Sequence, residues 1–315
     1  MLSNTSDAAA VPAVPAPPMR DHLDPTQHRE WGRSRRKACP RTIQSFWEMT
    51  DARDPVEILQ RQEEHRLPFL VPVRHARMLT SPFAFYRGSA AVMSADLATT
   101  PSTGIQAQLC GDAHLSNFGL FGSPERALVF DCNDFDETHP GPWEWDVKRL
   151  AVSAVLMAAD RGWDTDAQRR LARAVGFGYR VSMADFASKG RLAVWYSKVT
   201  DEQLLALAKD DNRAAIEKQF RKARLNDVGR AIAKYTEVVD GRRRFVHQPP
   251  LVMRLDDSMS ADTAAAMHQN VIGLFGEYLE SVPDYLRVLL GGYELIDVAL
   301  KVVGVGSVGT RCYIA

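Results

Sequence analysis

Residues 110–117 read CGDAHLSN and follow the alternating run 105–109, which predicts a β-strand. This segment places a carboxylate, Asp112, and an amide, Asn117, on one loop five residues apart. In phosphoryl transfer, such a carboxylate accepts the proton of an attacking hydroxyl, and the amide helps to hold a magnesium ion that bridges phosphates. The alternative is a structural loop in which both side chains only hydrogen-bond the backbone.

Two further candidates lie in or near this loop. His114 belongs to the segment itself, and we count it with the catalytic residues as a brace for the loop rather than as a titrating group. Arg87 ends the earlier run 81–88, SPFAFYRG, where a guanidinium beside a glycine is able to bind a phosphate through two hydrogen bonds. A buried structural arginine is the alternative for Arg87.

A cluster of carboxylates begins 19 residues after Asp112, in residues 129–137, VFDCNDFDE. Four acidic groups stand within seven residues of this segment and repel one another unless a cation or solvent intervenes. Magnesium is usually held by one or two carboxylates together with phosphate oxygens. Asp131 also falls within an apolar strand pattern, where an unpaired charge is costly. We predict metal ligands among Asp131, Asp134 and Asp136; an acidic surface turn is the alternative.

A glycine-rich turn, GVGSVG at residues 304–309, separates the apolar runs 295–303 and 310–314. A dinucleotide-binding site needs a helix after such a turn, because the helix N-terminus binds the pyrophosphate. The run that follows is instead typical of a strand, which favours a glycine loop that covers phosphates. A tight structural hairpin is the alternative. The predicted cofactor-binding residues of this turn are Gly304, Gly306, Ser307 and Gly309.

Five segments together resemble a bacterial family catalogued as domain of unknown function 2252. These segments are 81–88, 111–119, 133–137, 141–146 and 303–309. The family is in turn remotely similar to protein-kinase-like enzymes, including the aminoglycoside phosphotransferases. The resemblance implies ATP or another nucleotide and Mg²⁺ as cofactors, and a hydroxyl-bearing molecule of unknown identity as the acceptor.

The same resemblance implies roles for individual residues. Kinase-like enzymes place a metal-binding Asp roughly twenty residues after the catalytic Asp. The sequence DFD at 134–136 is similar to their Asp-Phe-Gly motif, so Asp134 is the favoured metal ligand, with Asp131 second and Asn117 as a partner. Asp146 would support the catalytic loop, as a similar Asp does in aminoglycoside phosphotransferases. A carboxylate that stabilises a helix start is the alternative for Asp146.

Two features depart from the ordinary kinase pattern. The glycine loop precedes the catalytic loop in kinases but follows it here, and a circular permutation explains this order. The lysine that pairs with the nucleotide phosphates follows the glycine loop in kinases, whereas Lys301 precedes it here. Because a lone apolar hairpin cannot bury itself, we expect the sequence to be a fragment or to stop early.

The predicted fold class is α+β and protein-kinase-like, with the lobes in permuted order. Residues 1–40, rich in Ala and Pro near their start, are predicted to be a disordered arm. Residues 41–290 are predicted to form a mostly helical catalytic lobe, and 291–315 the start of an antiparallel β-lobe. Within the helical lobe, the signals are a helix start at Asp54, capping boxes at Thr165 and Thr200, and helical periodicity over 143–159 and 262–279.

Composition excludes several classes of partner. The 315 residues carry 39 Lys plus Arg and 39 Asp plus Glu, so no overall charge favours nucleic acid or an anionic membrane. Four cysteines are too sparse for a disulfide scaffold. No apolar run reaches the ~20 residues of a membrane span, and no secretory signal pattern is present. We therefore expect a cytoplasmic protein, and the sequence does not determine its oligomeric state.

Three functional hypotheses follow. The first is an ATP- and magnesium-dependent phosphotransferase, of which a nucleotidyl-transferring variant would use the same site. The second is a non-catalytic nucleotide-binding module, a pseudokinase, which a missing phosphate-pairing lysine favours. The third is a metal-dependent phosphohydrolase that uses the acidic cluster.

Overall fold

The computed structural model describes residues 24–49, 53–125, 127–225, 228–258 and 260–315. The chain divides into two compact units. The first comprises the described part of Met1–Phe46 together with Thr100–Ile105, and the second comprises Trp47–Thr99 and Gln106–Ala315 where they are described. No described helix combines the length and apolar character needed to cross a lipid bilayer.

The described helices are α1 (Pro25–Ala38), α2 (Pro55–Glu63), α3 (Val71–Met78), α4 (Pro82–Arg87), α5 (Ala90–Ala98), α6 (Glu144–Asp160), α7 (Thr165–Ala187), α8 (Arg191–Trp195), α9 (Asp201–Leu207), α10 (Asp210–Arg224), α11 (Val228–Tyr235), α12 (Leu255–Ser258), α13 (Ala261–Ser281) and α14 (Asp284–Leu290). The described strands are β1 (Gln106–Leu109), β2 (Phe118–Gly122), β3 (Leu128–Cys132), β4 (His139–Pro142), β5 (Thr236–Val239), β6 (Arg242–Phe245), β7 (Val252–Arg254), β8 (Ala299–Lys301) and β9 (Tyr313–Ile314). This mixture of helices and small antiparallel sheets confirms the α+β class.

The first unit differs from the predicted disordered arm. Residues 1–23 of that arm lie outside the described residues, but α1 occupies most of 24–40. Asp24 and Gln27 form a capping box at its start, and Pro25 takes the first helical position. Basic side chains fill the last turn, where they complement the helix dipole. The capping box, Pro25 and the basic last turn together explain why α1 forms within a region that was predicted to be disordered.

Helix starts in the second unit follow the predictions with one exception. Asp54 caps α2 by accepting the backbone N–H groups of Val56 and Glu57. The capping box at Thr200 is present at the start of α9. The box predicted at Thr165 is wrong, because Asp164 is the N-cap of α7 and Thr165 already lies inside the helix.

Helix α6 confirms the helix predicted over 143–159 and packs against α7. Its buried residues include Arg149 and Ser153 as well as Ala154 and Ala158. The helix therefore buries polar side chains that its pattern of apolar residues does not predict to be buried. Both polar residues contact the segment that carries the candidate catalytic loop.

Antiparallel strand pairs position that loop. The strands predicted over 105–109 and 127–132 are present as β1 and β3. Strand β4, the partner of β1, contains two prolines, and the sequence analysis therefore did not identify it. The β2–β3 hairpin pairs Phe118 with Cys132, so that the loop before β2 and the acidic segment after β3 lie side by side.

The predicted glycine hairpin is present, but its strands β8 and β9 are shorter than the apolar runs 295–303 and 310–314. The hairpin does not stand alone, because β7 pairs with the other edge of β8. A buried apolar cluster joins this three-stranded sheet to the 3-10 turn Pro68–Leu70. The buried members of the cluster are Leu70, Met253, Leu300, Val302 and Val308.

We predict that this cluster anchors the glycine hairpin. Leu300→Ala should lower the free energy of unfolding by about 2–5 kcal/mol, because the side chain is 3% exposed and its removal leaves a cavity. Chemical denaturation monitored by circular dichroism measures the change. The matched control is Leu289→Ala on α14, where the side chain is 58% exposed and the change should stay within about 0.5 kcal/mol. Equal losses in both variants would contradict the anchoring role.

Candidate active site

The loop between β1 and β2 is held by Asp146 of α6. The Asp146 carboxylate accepts the backbone N–H groups of Cys110 at 2.7 Å and Gly111 at 3.1 Å. This geometry fits the supporting role that the family resemblance implies for Asp146. Gly111 has φ +77°, and a Cβ there would lie 1.9 Å from the carbonyl oxygen of Glu137, so only glycine fits this position.

Asp112 is buried and pairs with Arg149, which the sequence analysis missed. The Arg149 Nε donates to Asp112 Oδ1 at 2.6 Å, and Nη2 donates to the backbone oxygen of Tyr86 at 2.9 Å. The guanidinium also lies over the Tyr86 ring, 4.3 Å from its centroid. The Tyr86 hydroxyl donates to the Arg149 carbonyl at 2.9 Å. The signal available in the sequence was the spacing, because Arg149 follows Asp146 by three positions and therefore lies on the same side of α6.

His114 hydrogen-bonds within its own loop, and its predicted role as a brace for this loop stays a prediction. It is buried, and its Nδ1 accepts the backbone N–H of Ser116 at 3.2 Å. This hydrogen bond assigns the ring proton to Nε2, which lies 3.6 Å from Asp112 Oδ2. The backbone N–H of Leu115 donates to Ser153 Oγ at 3.2 Å, which ties the same turn to α6.

The surroundings of Asp112 and His114 shift their pKa values in opposite directions. Burial raises the pKa of Asp112 to about 6, although the nearby Arg149 opposes this shift. Burial lowers the pKa of His114 to about 4, and the positive charges of Arg87 and Arg149 add to the effect. At neutral pH, Asp112 is therefore mostly ionised and His114 is neutral. A carboxylate whose pKa lies near neutrality is suited to act as a general base.

One cavity of about 40 Å³ brings the predicted segments together. Its wall combines the catalytic loop, the acidic segment and the glycine loop, which are far apart in sequence. The lining residues are Arg66, Arg87, Gly88, Ala90, Asp112, His114, Asn117, Asp134, Asp136, Glu137, Gly304, Val305, Gly306 and Ser307. Among the residues predicted from sequence, Asp131 and Gly309 do not line this cavity.

Asn117 and Asp134 line the cavity, and both side chains carry oxygen atoms. The Asn117 Nδ2 donates to the backbone oxygen of Asp112 at 2.9 Å, which leaves the Oδ1 end of the amide for a ligand. The half-buried Asp134 has a raised pKa, caused first by burial and then by the neighbouring carboxylate of Asp136. A cation bound between these two carboxylates would reduce the repulsion between their charges, so the pair is a suitable cation site.

Asp131 lies elsewhere. Its side chain is exposed, and its Oδ1 accepts the backbone N–H of Cys132 at 2.7 Å. The expectation that Asp131 is buried within the apolar strand is wrong, because Asp131 is exposed while Val129 and Cys132 of the same strand are buried.

The glycine loop contacts both the acidic segment and the arginine-rich wall. Ser307 Oγ donates to Asp136 Oδ2 at 2.9 Å, and Arg77 Nη1 donates to the carbonyl oxygen of Gly304 at 2.6 Å. A Cβ at Gly306 would lie 3.0 Å from the carbonyl oxygen of Arg87. Gly309 has φ +91° and packs against the Arg66 side chain, so it anchors the loop from behind the cavity wall.

Arg66, which the sequence analysis did not single out, and Arg87 contribute positive charge to the cavity wall. Arg66 is 9% exposed, and its Nη1 donates to the carbonyl oxygen of Val308 at 2.7 Å. The Nε atoms of both arginines are buried and have no hydrogen-bond partner in the described part of the chain. Among the described residues, no carboxylate lies within 4.0 Å of either guanidinium group.

Comparison with known proteins adds one finding. A family model described as "Uncharacterized protein conserved in bacteria (DUF2252)" matches residues 66–315, which include every residue of the cavity wall. No curated protein and no solved structure matches the chain.

We predict that the ion pair between Arg149 and Asp112 stabilises the fold. Arg149→Met should lower the free energy of unfolding by about 3–5 kcal/mol, because it leaves a buried carboxylate without its partner. Adding Asp112→Asn should recover a large part of that loss, since the buried charge is then also removed. Chemical denaturation of the single and double variants measures both effects. Arg169→Met, at an exposed position on α7, is the control. A single variant as stable as the wild type would show that the pair does not hold the loop.

We also predict an acid-sensitive contribution from His114. The pKa of His114 is about 4 in the folded protein and about 6.5 when unfolded, so its contribution is present above about pH 6.5 and is lost as the pH falls towards 4. Between about pH 7.5 and about pH 5, the wild type should lose about 2 kcal/mol more stability than His114→Gln. The raised pKa of Asp112 acts with the opposite sign, but it is present in both proteins and cancels in the comparison. Parallel pH profiles of unfolding would contradict the prediction.

Proposed function

The chain belongs to this bacterial family of uncharacterised proteins, and we propose that it is an ATP- and Mg²⁺-dependent phosphotransferase with a permuted, kinase-like site. One observation carries the proposal. The loop of Asp112 and Asn117, the carboxylates of Asp134 and Asp136, and the glycine loop line the same cavity. This is the set of groups that kinase-like phosphoryl transfer needs, namely a base, metal ligands and a cover for the phosphates.

Asp112 is the proposed base. Its carboxylate would accept the proton of an acceptor hydroxyl, and it is mostly ionised at neutral pH because its pKa is about 6. Arg149 fixes the carboxylate in place through the hydrogen bond from Nε. His114 keeps the loop in shape and carries no charge at this pH. A hydroxyl acceptor loses one proton when it is phosphorylated, so a single base is sufficient to accept that proton.

The donor set at the cavity fits magnesium. Asp134, with Asp136 as a second carboxylate and the Oδ1 of Asn117, would supply protein oxygens, and phosphate oxygens and water would complete the shell. In the described part of the chain, no group of three or more His, Cys, Asp and Glu side chains is arranged around a metal position. A cation here would therefore depend on the phosphates of the donor. When bound, magnesium supplies positive charge that offsets the charge of the phosphates.

The size of the cavity limits which part of a nucleotide it encloses. A volume of about 40 Å³ has room for a phosphoryl group or for about three waters. The ribose and base would lie outside it. The glycine loop forms one side of the enclosed part and is held there by the hydrogen bond from Ser307 to Asp136. A cytoplasmic location, where nucleotide triphosphates are available, is part of the proposal.

A second candidate function is a nucleotide-binding regulatory module without catalysis. Of the described residues that line the cavity, none is a lysine. Lys301 does not take this place, since its Nζ lies over the Tyr235 ring, 4.3 Å from the centroid. This observation favours a pseudokinase unless another cation binds the phosphates.

We predict that Asp112→Ala separates chemistry from binding. With a radiolabelled γ-phosphate on ATP and a panel of hydroxyl acceptors, turnover should fall about 10²–10⁴-fold, because the variant lacks the base. Calorimetric affinity for a non-hydrolysable ATP analogue with Mg²⁺ should change little. The control is Asp166→Ala, an exposed carboxylate on α7. Turnover that survives in Asp112→Ala would refute the role of this residue. Wild-type protein that binds the analogue without any turnover would favour the regulatory module.

A further inference from the structure

Among the described residues, two arginines of the cavity wall form no ion pair within 4.0 Å, namely the buried Arg66 and the half-buried Arg87. The carboxylates of Glu137, Glu63 and Asp136 favour the charge of Arg66 from a greater distance. Arg66 is only 9% exposed, yet the only hydrogen bond of its side chain in the described part of the chain goes to the carbonyl oxygen of Val308. The Arg87 side chain donates no hydrogen bond within the same part. Burying a cation without an anionic partner is costly, so proteins normally pair or hydrogen-bond such groups. Both arginines line the same cavity, so an anion bound there would meet positive charge from two sides.

Neighbouring arginines show that unpaired guanidinium groups are not a general feature of this protein. Arg74 is fully buried, but its Nη1 lies 3.1 Å from Glu63 Oε1 and its Nη2 donates to the carbonyl oxygen of Gly88 at 2.6 Å. Arg149 is 2% exposed and pairs with Asp112. Arg74 and Arg149 therefore each have a carboxylate partner within 4.0 Å, although the Nε of Arg74 is also without a hydrogen bond. Among the described residues, neither Arg66 nor the half-buried Arg87 has a carboxylate at that distance.

The remaining wall restricts the chemistry of the anion. Asp134 and Asp136 lie in the same cavity and would repel a simple anion. An anion that arrives with a divalent cation avoids this repulsion, because the cation binds the carboxylates while the guanidinium groups bind the anion. Guanidinium groups match the oxygen geometry of phosphate better than that of a spherical anion. A metal-bound phosphate group of a polyphosphate satisfies both requirements and fits the volume of about 40 Å³.

The glycine loop packs on both arginines. Gly309 approaches the aliphatic stem of Arg66 so closely that a Cβ at this glycine would lie 3.2 Å from the Arg66 Cβ, and Gly306 lies against the carbonyl oxygen of Arg87. Small residues at these positions let the loop approach the two arginines closely. The loop and the guanidinium groups would therefore surround the same phosphate.

We propose that Arg66 and Arg87 form the subsite that binds the terminal phosphate groups of the donor, in the role that a lysine has in ordinary kinases. This proposal rests on the phosphotransferase function for the identity of the donor, but the anion subsite itself is tested without a nucleotide. Arg66 and Arg87 are binding residues in this scheme, and Asp112 remains the base.

The test measures binding of tripolyphosphate, with and without Mg²⁺, to the whole chain by isothermal titration calorimetry. Arg66→Met and Arg87→Met should each weaken binding at least about tenfold, because each removes charge-assisted hydrogen bonds. Arg66→Lys keeps the charge but loses the planar fork, so its affinity should lie between those of the wild type and Arg66→Met. Arg169→Met, at an exposed position on α7, should bind as the wild type does.

A second measurement separates a binding role from a structural one. Without ligand, Arg87→Met should unfold at the same temperature as the wild type or higher, because an unmatched charge is replaced by an apolar side chain. A structural arginine would instead lower the unfolding temperature when replaced. If Arg66→Met does not fold, Arg66→Lys and Arg87→Met still decide the proposal.

The outcomes for the subsite and for the proposed function are distinguishable. Tripolyphosphate that does not bind the wild type, or binds both Met variants as well as the wild type, overturns the subsite even if the protein transfers phosphate. Tripolyphosphate that binds through the two arginines supports the subsite even if no turnover is found with ATP. In that second case, the catalytic proposal fails and the anion subsite stands.

Discussion

The buried carboxylate of Asp112 depends on the guanidinium of Arg149, and most of the site depends on that pair. Arg149 comes from the middle of α6, and the same side chain contacts Tyr86 at the end of α4. The pair therefore joins the loop after β1 to two helices. Without a cation beside it, a carboxylate this buried would take up a proton. With Arg149 present, the pKa stays near 6, so that Asp112 carries its charge at neutral pH.

Helix α6 provides a second kind of support from its buried polar face. Asp146 accepts two backbone N–H groups of the loop, and Ser153 accepts a third from the turn that follows. A loop that approaches a helix in this way would otherwise leave buried N–H groups without partners. The arrangement explains why α6 keeps polar residues in the interior, where an apolar side chain would be expected to pack better.

The distribution of charge around the cavity points to a ligand with both signs of charge. Carboxylates of the acidic segment stand on one part of the wall, and the unmatched guanidinium groups of Arg66 and Arg87 stand on another. Among the described residues, no carboxylate lies within 4.0 Å of these two guanidinium groups, although Glu137, Glu63 and Asp136 favour the charge of Arg66 from a greater distance. A phosphate with a bound divalent cation would pair with both sets, because the cation binds the carboxylates and the phosphate binds the guanidinium groups. The proposed phosphotransferase function and the proposed anion subsite therefore call for the same ligand. The glycine loop lies far from the other wall segments in the sequence. It is brought to the cavity because the sheet of β7, β8 and β9 and its apolar cluster hold the glycine hairpin against the segment around Leu70.

Local sequence patterns were sufficient to predict many of the helices and strands and to select the segments with candidate chemistry. Alternating patterns predicted β1 and β3, helical periodicity predicted α6 and α13, and the spacing of oxygen-bearing residues selected Asp112, Asn117 and Asp134. These predictions succeed for the elements because they depend on neighbours within a few positions. The catalytic, metal and cofactor roles of the selected residues remain predictions.

The pairing of charged side chains, by contrast, depends on contacts between distant parts of the chain. Arg149 pairs with a residue 37 positions earlier, and Arg66 donates to one 242 positions later. Asp131 looked buried in an apolar run, yet it is exposed although Val129 on the same face of β3 is buried, because the packing that covers a strand changes along its length. A local pattern contains no information about such distant partners. Burial and pairing of charge are set by the packing of the whole unit, and for this reason the anion subsite and the support of Asp112 appear only in three dimensions.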